Sequence, residues 1–589
     1  MVSHPATIHS ELTADDRQIV LVAAGHDAAV VYAARLLERI TPLAKPSNPP
    51  GALVLTATWP TVVQLAYTYR ANWRPGERLR RWITHEFTRR TAPTRDTLSF
   101  TLPAHLEPFR HQISGAHLIA HSSGGRAAIW DDRRTGKTIT AILGLREIQA
   151  TWAPELGTVD QPVIVVTPSA VVLDWIDALA EWWPECRTAV WQGADRRQRK
   201  GTAGIYVTSW GTLSCDASDD SKQRSPLVHL GHRALVIDEG HFAKGATSRR
   251  TRAMQRLARR SRIFVELTGT PIAHTIKDLQ PRIKFLADDW LPSVERMLHR
   301  WALSIEQDYG QPLILGLNPH TADEFYACLL GQWRYLARSD VLDEPPKAHY
   351  VREVTLPATW RRVYDDVQAQ MLAELPNGDA LPSFGTLQQL SQLLQLTNAA
   401  GDVTITESKD ERTGLTRKHY HVSPKLPSWK VDALLDLLAE RHPKPVVVAA
   451  PSRALIELAG REVTRNSSRT VGYIVGGQTP RQRQQIKNAF QAGELSTLCM
   501  TTSSGGTGIA LHAASTLIYI QRPYSYIESE QSEDRLSGIG AAPREETEII
   551  DIVARHTIDS RIRTVLKGKA GQFSELVRDP RIVSEILGG

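Results

Sequence analysis

The sequence predicts an α/β protein with two tandem lobes, each a parallel sheet covered by helices. Two observations predict this fold class. Short apolar runs alternate with helical stretches, as in parallel sheets whose strands are buried on both faces, and a second series of such runs follows the first. The first series comprises 163–167, 205–208, 234–237 and 263–267, and the second comprises 446–450, 471–475, 498–501, 517–520 and 549–553.

Changes of pattern along the chain predict four regions, because 589 residues are too many for a single core. The two lobes cover 96–287 and 426–589. Between them, 288–425 contains long amphipathic stretches that indicate a helical protrusion. A polar alternating segment near the end of this region predicts a hairpin that turns near Gly414.

The first region, 1–95, predicts a small accessory α/β domain. It has strand-like runs at 19–24 and 52–55, a helix-like run at 28–40, and an Arg- and Trp-rich helical stretch up to about residue 91. No pattern within it indicates a chemistry. We interpret this region as a possible surface for a protein partner.

Composition favours a polyanionic partner and a reducing compartment. Lys and Arg number 70 against 63 Asp and Glu, which gives a net charge of +7. The four cysteines are far apart and form no Cys-x-x-Cys pair, which argues against a zinc module or a disulfide framework. No apolar run reaches the roughly 18 residues of a membrane span, and the N-terminus lacks the pattern of a signal peptide. We therefore expect a cytoplasmic protein without a membrane partner.

Residues 131–138, which end in Thr-Gly-Lys-Thr, have the composition of a loop that binds a polyphosphate. The loop lies between a strand-like run and a helical pattern, as such a loop requires. Gly136 permits the tight turn, Lys137 would contact the β- and γ-phosphates, and the Thr138 hydroxyl would coordinate Mg²⁺. The sequence therefore predicts a nucleoside triphosphate site with a bound magnesium ion.

A second motif, Asp238-Glu239-Gly240-His241, follows directly after the apolar run 234–237. Ligands of open α/β sheets bind at the carboxyl ends of the strands, so both carboxylates are expected there. Asp238 would complete the Mg²⁺ shell, and Glu239 would orient and deprotonate the attacking water. Together the two motifs predict hydrolysis of the triphosphate, whereas two surface loops with incidental charges are the alternative.

The ordered motifs between about residues 105 and 570 resemble those of superfamily 2 helicase-like ATPases, and specifically the sucrose-nonfermenting (Snf) branch of double-stranded DNA translocases. In its compactness the chain is more similar to phage and bacterial members. The resemblance implies two RecA-like P-loop lobes with a helical protrusion, ATP and Mg²⁺ as cofactors, and duplex DNA as the partner. The motifs that carry it are 108–112, 131–138, 166–169, 238–241, 268–271, 338–341, 477–479, 503–511 and 531–540.

The resemblance also implies roles for single residues. Gln112 would read the adenine edge, Gly508 would lie close to the nucleotide, and Arg535 would be the catalytic arginine of the second lobe. A polar helix start is the alternative for Gln112, and plain connecting loops are the alternative for the other motifs. Phosphate contacts to DNA, without base readout, would come from Thr167, Ser169, Thr208, Thr502 and Ser503.

The last motif departs from the family pattern. A second arginine normally follows three places after Arg535, and this chain has Gly538 there. An arginine that reaches the γ-phosphate can supply about 10³- to 10⁵-fold in rate. The alternatives are that Arg535 or Arg544 replaces it, or that turnover is slow.

These observations predict a DNA-dependent ATPase that translocates on double-stranded DNA by ATP-driven lobe closure. A nucleotide-gated DNA-binding clamp with weak turnover is one alternative. The motor subunit of a restriction or defence complex, docked through residues 1–95, is the other. The arginine-rich stretch 249–260 would add a basic patch for DNA or would be a solvated helix face.

Overall fold

The computed structural model divides the chain into two compact units, Met1–Val341 and Leu342–Gly589. The division lies inside 288–425, the region that the sequence predicted as one insertion. The predicted helix-like run 28–40 and the turn at Gly414 lie outside the described residues. The structure describes 7–24, 45–47, 52–92, 95–216, 227–269, 271, 276–287, 294–305, 313–341, 345–373, 393–409, 416–502, 509–523, 526–537 and 545–561.

The described part of the N-terminal domain is a five-stranded sheet with two helices. Its strands are β1 (Thr7–Leu12), β2 (Gln18–Ala24), β3 (Lys45–Ser47), β4 (Ala52–Thr56) and β5 (Trp73–Pro75), in the order β3-β4-β2-β1-β5. All neighbours are antiparallel except β1 and β5. The helices are α1 (Trp59–Tyr69) and α2 (Glu77–Arg90). The predicted strands and the helical stretch up to residue 91 are therefore present.

Lobe 1 is a parallel sheet of seven strands in the order β14-β6-β11-β10-β7-β9-β8. Its central strands are buried along their whole length, which explains their continuous apolar sequences. Apolar clusters cover both faces of the sheet. The strands are β6 (Arg126–Ile129), β7 (Val163–Thr167), β8 (Thr188–Val190), β9 (Ile205–Ser209), β10 (Ala234–Asp238), β11 (Ile263–Leu267) and, after the hairpin of β12 (Ala302–Ile305) and β13 (Leu313–Leu317), β14 (Trp333–Arg334).

The helices of lobe 1 pack on the two faces of this sheet. Two of them follow the predicted motifs directly: one begins in the segment 108–112, and the next begins at Lys137. They are α3 (Arg110–His121), α4 (Lys137–Thr151), α5 (Val172–Trp182), α6 (Trp210–Asp216), α7 (Arg249–Ala258), α8 (Gln280–Leu286), α9 (Val294–Trp301) and α10 (Pro319–Cys328).

The N-terminal domain shares its packing with lobe 1. Trp59 of α1 is buried in the same apolar cluster as Phe325 of α10, and its Nε1 donates a hydrogen bond to the carbonyl of Ala327 at 2.8 Å. Arg90 of α2 donates to the carbonyl of Leu330 at 3.0 Å. The region 1–95 is therefore anchored on the α10 side of lobe 1.

Lobe 2 is a second parallel sheet, with six strands in the order β15-β22-β21-β18-β20-β19. Apolar clusters again cover both faces. Its outermost strand comes from the region that the sequence had taken as protrusion. The strands are β15 (Lys347–Val354), β18 (Val446–Ala450), β19 (Val471–Ile474), β20 (Thr497–Thr501), β21 (Thr516–Tyr519) and β22 (Thr547–Ala554).

The remaining elements of this unit include the predicted hairpin, β16 (Ala400–Lys409) with β17 (Thr416–Lys425), which pairs antiparallel from Ala400↔Lys425 to Lys409↔Thr416.

Within the described part of the chain, no helix is both long and apolar enough to cross a membrane. The helices of this unit whose bounds the structure describes are α11 (Ala358–Ala373), α12 (Trp429–Glu440), α13 (Arg453–Asn466), α14 (Pro480–Gln491) and α15 (Tyr526–Glu533).

Candidate nucleotide-binding site

The predicted motifs of lobe 1 meet at one edge of its sheet. The phosphate loop follows β6, the acidic pair ends β10, and Thr268 follows β11, which lies between those two strands. Because all these strands are parallel, their carboxyl ends share an edge. The loop and the acidic pair are about a hundred residues apart in the sequence, and the order of the strands in the sheet brings them together.

The phosphate loop is shaped by two residues with left-handed backbone. Gly136 has φ 77° and precedes α4, while Arg134 has φ 68°. The Lys137 ammonium lies at the start of α4 and donates to the carbonyls of Asp131 and Asp132 at 2.9 and 2.8 Å. Burial lowers the pKa of Lys137, while the nearby carboxylates of Glu239, Asp131 and Asp238 oppose that shift. The ammonium is thus buried beside the acidic pair, as the motif requires.

The loop is held from the opposite side by Arg334 of β14, a residue that the sequence analysis missed. Its guanidinium forms an ion pair with the buried Asp131 carboxylate and donates to the carbonyl of His111 at 2.6 Å. His111 in turn donates from Nε2 to the carbonyl of Thr135 at 2.8 Å. These contacts bind the start of α3, the phosphate loop and β14 together. No local sequence signal marked Arg334, since Asp131 lies 203 residues away.

Asp238 is anchored by donors on two other elements. Its Oδ2 accepts from the Thr167 hydroxyl at 2.8 Å and from Trp175 Nε1 at 2.9 Å. Burial, together with the neighbouring charge of Glu239, raises the pKa of Asp238 to about 6. A divalent cation at this carboxylate would favour its ionised form. The Asp238 carboxylate and the hydroxyl of Thr138, the residue after Lys137, are oxygen ligands of the kind that Mg²⁺ prefers.

Glu239 lies in a strained conformation, and through His241 it is linked to Thr268 in the motif 268–271. Its φ of 52° is unusual for a residue with a side chain, and such strain is often found at functional sites. Its carboxylate is 3.1 Å from His241 Nδ1, which is also 3.1 Å from the Thr268 hydroxyl. Burial alone would raise the pKa of Glu239, but the hydrogen bond and charge of His241, with Lys137 and Arg133, outweigh it and lower this pKa. The carboxylate is therefore kept ionised, the form that a general base needs.

Gly240 stands where the acidic motif of the resembled family usually has alanine, and it packs against a buried carboxylate. A Cβ added at Gly240 would lie 2.7 Å from Oε1 and 2.9 Å from Cγ of Glu266. Glu266 is fully buried in β11 and forms an ion pair with the equally buried Arg282. Arg282 also donates to the carbonyl of Pro271 at 2.7 Å, which holds the end of the motif 268–271. The absence of a side chain at Gly240 therefore leaves room for the Glu266 carboxylate.

The structure corrects the environment of two predicted DNA contacts. The hydroxyl of Thr167 is buried and donates to Asp238, and that of Thr208 is buried and donates to the carbonyl of Trp191 at 2.9 Å. Neither hydroxyl faces solvent, so neither is available to a DNA phosphate in this conformation. Ser169 is exposed at the end of β7, as a phosphate contact requires. Thr502 is buried.

Ser503 and Gly508, the other two predicted residues of lobe 2, lie outside the described residues, and so do Gly538 and Arg544. Arg535 is buried within lobe 2, where Nη1 is 3.0 Å from Met500 Sδ and Nη2 donates to the carbonyl of Thr502 at 3.4 Å. Its role at the nucleotide stays a prediction. These contacts fix Arg535 to the end of β20.

Gln112 is buried in the first turn of α3. Its Oε1 accepts from the backbone N–H of Phe109 at 3.0 Å, which caps the helix. The polar helix start, the alternative considered for this residue, is therefore present. Reading of adenine by the Gln112 amide stays a prediction.

Two family profiles match the chain next to each other. The SNF2-related domain matches residues 111–401, and the helicase conserved C-terminal domain matches 429–540. Together they span about two thirds of the sequence. The chain belongs to the SNF2-related helicase-like ATPases. The resemblance inferred from the motifs is thereby confirmed, and the two parallel sheets are the two RecA-like lobes of this family.

Curated SNF2-related relatives are distant and longer. The putative ATP-dependent helicase/translocase YwqA of Bacillus subtilis is 21% identical over 494 residues, which cover 82% of this chain and 50% of the relative. The DNA annealing helicase and endonuclease ZRANB3 of Homo sapiens is 21% identical, with coverages of 81% and 40%. The transcription regulatory protein SNF2 of Saccharomyces cerevisiae is 22% identical, with coverages of 73% and 25%. The chain thus spans half or less of the length of these relatives.

Among solved structures, the SWI2/SNF2 ATPase core of Sulfolobus solfataricus in complex with dsDNA is 18% identical. The match covers 82% of this chain and 97% of that one, with a TM-score of 0.36. A second structure, of the SWI2/SNF2 ATPase core domain of Sulfolobus solfataricus, is 17% identical, with coverages of 85% and 97% and a TM-score of 0.37.

Proposed function

We propose that this SNF2-related chain is a DNA-dependent ATPase that translocates on double-stranded DNA, with ATP-driven lobe closure as its work stroke. The observation that carries the proposal is the convergence of Lys137, Asp238 and Glu239 at one edge of the lobe 1 sheet, where their charges act on one another. A cation for phosphate, a metal-binding carboxylate and an ionised base are the parts that triphosphate hydrolysis needs.

Each residue has a distinct task in this proposal. Lys137 and the N–H groups at the start of α4 would bind the phosphates, and Thr138 with Asp238 would hold Mg²⁺. Bound Mg²⁺ would neutralise charge on the phosphate oxygens. Glu239 would take a proton from the attacking water. His241 would transmit the state of Glu239 to Thr268, because its imidazole contacts both side chains.

Steady-state ATP hydrolysis, measured with duplex DNA, single-stranded DNA, RNA or no nucleic acid, tests the proposal. We expect stimulation by duplex DNA, and a loss of about 10²-fold or more in kcat for Lys137→Ala and for Glu239→Gln. The matched controls are the exposed Lys200→Ala and Glu181→Gln, which should leave the rate unchanged. Rates at the level of these controls in either site variant would remove the assignment of that residue.

A nucleotide-gated clamp with weak turnover is the second candidate, and Gly538 in the last motif favours it. The two candidates differ in movement along DNA. A translocase should displace a triplex-forming strand from a duplex at a rate that depends on ATP hydrolysis. A clamp should retain DNA when ATP is bound but displace no strand, and that result would replace the translocase proposal.

A further inference from the structure

Two imidazoles and a carboxylate lie close together between α3 and α4, away from the acidic pair and Lys137. His117 and His121 are one turn apart on α3, so that both project from the same face of the helix. Glu147 reaches them from α4. One ligand atom of each residue lies within 4.8 Å of the others, and His117 Nδ1 is 3.7 Å from Glu147 Oε1.

The tautomer of His117 leaves the lone pair of Nδ1 in a buried position. Its Nε2 contacts the carbonyl of Thr97 at 2.8 Å, and because a carbonyl can only accept, Nε2 carries the proton. In the neutral ring Nδ1 is then an acceptor. This nitrogen is buried without a hydrogen-bond partner among the described residues, in a side chain that is 1% exposed. A lone pair that faces a carboxylate oxygen requires a cation, either a proton or a metal ion.

Both buried residues of the cluster are also held by hydrogen bonds to the segment that contains Thr97 and Ser99. The Glu147 carboxylate accepts from the backbone N–H of Ser99 at 2.8 Å and from its hydroxyl at 2.6 Å. Metal-binding histidines commonly donate their second ring N–H to a backbone carbonyl, and metal-binding carboxylates are themselves hydrogen-bonded. Thr97 and Ser99 therefore orient both buried ligands before any metal arrives.

The distance between the two buried ligand atoms fits a small tetrahedral ion. Bonds of about 2.0–2.2 Å from Zn²⁺ to imidazole nitrogen and carboxylate oxygen place neighbouring ligand atoms about 3.4 Å apart. The 3.7 Å between His117 Nδ1 and Glu147 Oε1 is within a few tenths of an ångström of that value. His121 is exposed, so water can reach the fourth position. We propose that His117, His121 and Glu147 bind one Zn²⁺ ion.

The position of this zinc site gives it a structural consequence that does not depend on the proposed ATPase activity. Helix α3 begins just before Gln112, and α4 begins at Lys137. The ion would fasten these two helices to each other and to the segment that contains Thr97 and Ser99. Zinc binding should therefore stabilise lobe 1 against unfolding.

The test is a zinc titration of the full chain after removal of metal with a chelator, in competition with a chromophoric chelator and with the metal content counted by mass spectrometry. We expect one Zn²⁺ per chain and a rise of several degrees in Tm. His121→Ala should weaken binding at least about tenfold and abolish the rise in Tm. Since His121 is exposed, this variant should fold. The control is His85→Ala on α2, whose side chain is 75% exposed, and it should bind zinc like the wild type.

Glu147→Gln provides a second, nearly isosteric variant, because the glutamine oxygen can still accept a bond from Ser99. It should also lose zinc affinity. Co²⁺ in place of Zn²⁺ should give the absorption bands of a tetrahedral site in the wild type and in His85→Ala only. The proposal fails if the wild type binds no zinc, as expected for a protonated His117 paired with Glu147. It also fails if His85→Ala loses as much affinity as His121→Ala, since zinc would then bind surface histidines without a site.

Discussion

At the scale of single residues, contacts with neighbouring residues explain the residue types and backbone conformation of the acidic motif. Gly240 replaces the alanine that is usual for the family, and the carboxylate of Glu266 occupies the adjoining space. Glu239, one residue earlier, has left-handed backbone at φ 52°. The acidic motif therefore has an unusual backbone conformation at Glu239 and packs against the ion pair of Glu266 and Arg282.

We expect Gly240→Ala to destabilise lobe 1 by about 1–3 kcal/mol, as for other insertions of a methyl group into a well-packed core. The new Cβ would lie 2.7 Å from Glu266 Oε1, and Glu266 cannot move without breaking its ion pair with Arg282. Urea denaturation followed by tryptophan fluorescence measures the change in the free energy of unfolding.

Gly211→Ala is the matched control, because its new Cβ would have its nearest contact at 3.7 Å and the residue lies in helix α6. A helical alanine there should be neutral or stabilise the protein slightly. If Gly240→Ala is as stable as Gly211→Ala, then Glu266 does not fill the space assigned to it.

At the scale of elements, the junction between α1 and α10 decides how the N-terminal domain is attached. Trp59 is 6% exposed and combines apolar packing with the hydrogen bond to Ala327. Arg300 of α9 adds a hydrogen bond to the Thr68 hydroxyl at 2.9 Å. The domain is thus an extension of lobe 1 rather than a separately tethered module, which limits its possible partner surface to the faces away from α10.

Trp59→Ala should lower the free energy of unfolding by about 3–5 kcal/mol and should expose the backbone of α1 and α10 to hydrogen exchange. Trp59→Phe keeps most of the packing but removes the Nε1 donor, while the Ala327 carbonyl still accepts from the backbone N–H of Leu330 at 3.2 Å, and it should cost about 1 kcal/mol. Hydrogen exchange followed by mass spectrometry reports both changes locally. Faster exchange confined to α1 and α2, with α10 unchanged, would contradict a shared core.

At the scale of the whole molecule, we expect turnover to depend on a cation from lobe 2, and the last motif has no arginine in the usual place for it. Arg535 is buried in lobe 2, with its guanidinium close to Met500 and Thr502. Three positions later the chain has Gly538 instead of an arginine. The net charge of +7 favours DNA binding whether or not turnover is fast, so binding and hydrolysis have to be measured separately.

Gly538→Arg should raise the DNA-stimulated kcat at least tenfold if the missing arginine limits hydrolysis, since an added cation at the γ-phosphate stabilises the transition state. Steady-state ATP hydrolysis at saturating duplex DNA measures it. Gly538→Gln adds a side chain without charge and should give no gain. An equal gain in both variants would indicate a backbone effect, and no gain in either would mean that another cation already acts there.

The sequence by itself determined the strands of both lobes, the order of the motifs and the family. Apolar runs, the Thr-Gly-Lys-Thr turn and the acidic pair are local patterns, and each reports its own element. The sequence did not predict that two strands of the middle region belong to the sheets of the lobes. The strand β14 has only two residues and β15 is mostly polar, and both pair with strands that are distant in the sequence. The sequence also placed the Thr167 and Thr208 hydroxyls at DNA, since a strand end does not by itself reveal which side chains face inward.

Only the tertiary structure decided which distant side chains meet. Arg334 joins Asp131 across 203 residues, Glu266 lies behind Gly240, and Glu147 with Thr97 surrounds His117. Such contacts follow from the order of strands in a sheet and from the faces on which helices pack. These contacts join residues of different elements, so the pattern of residues within any one element does not predict them.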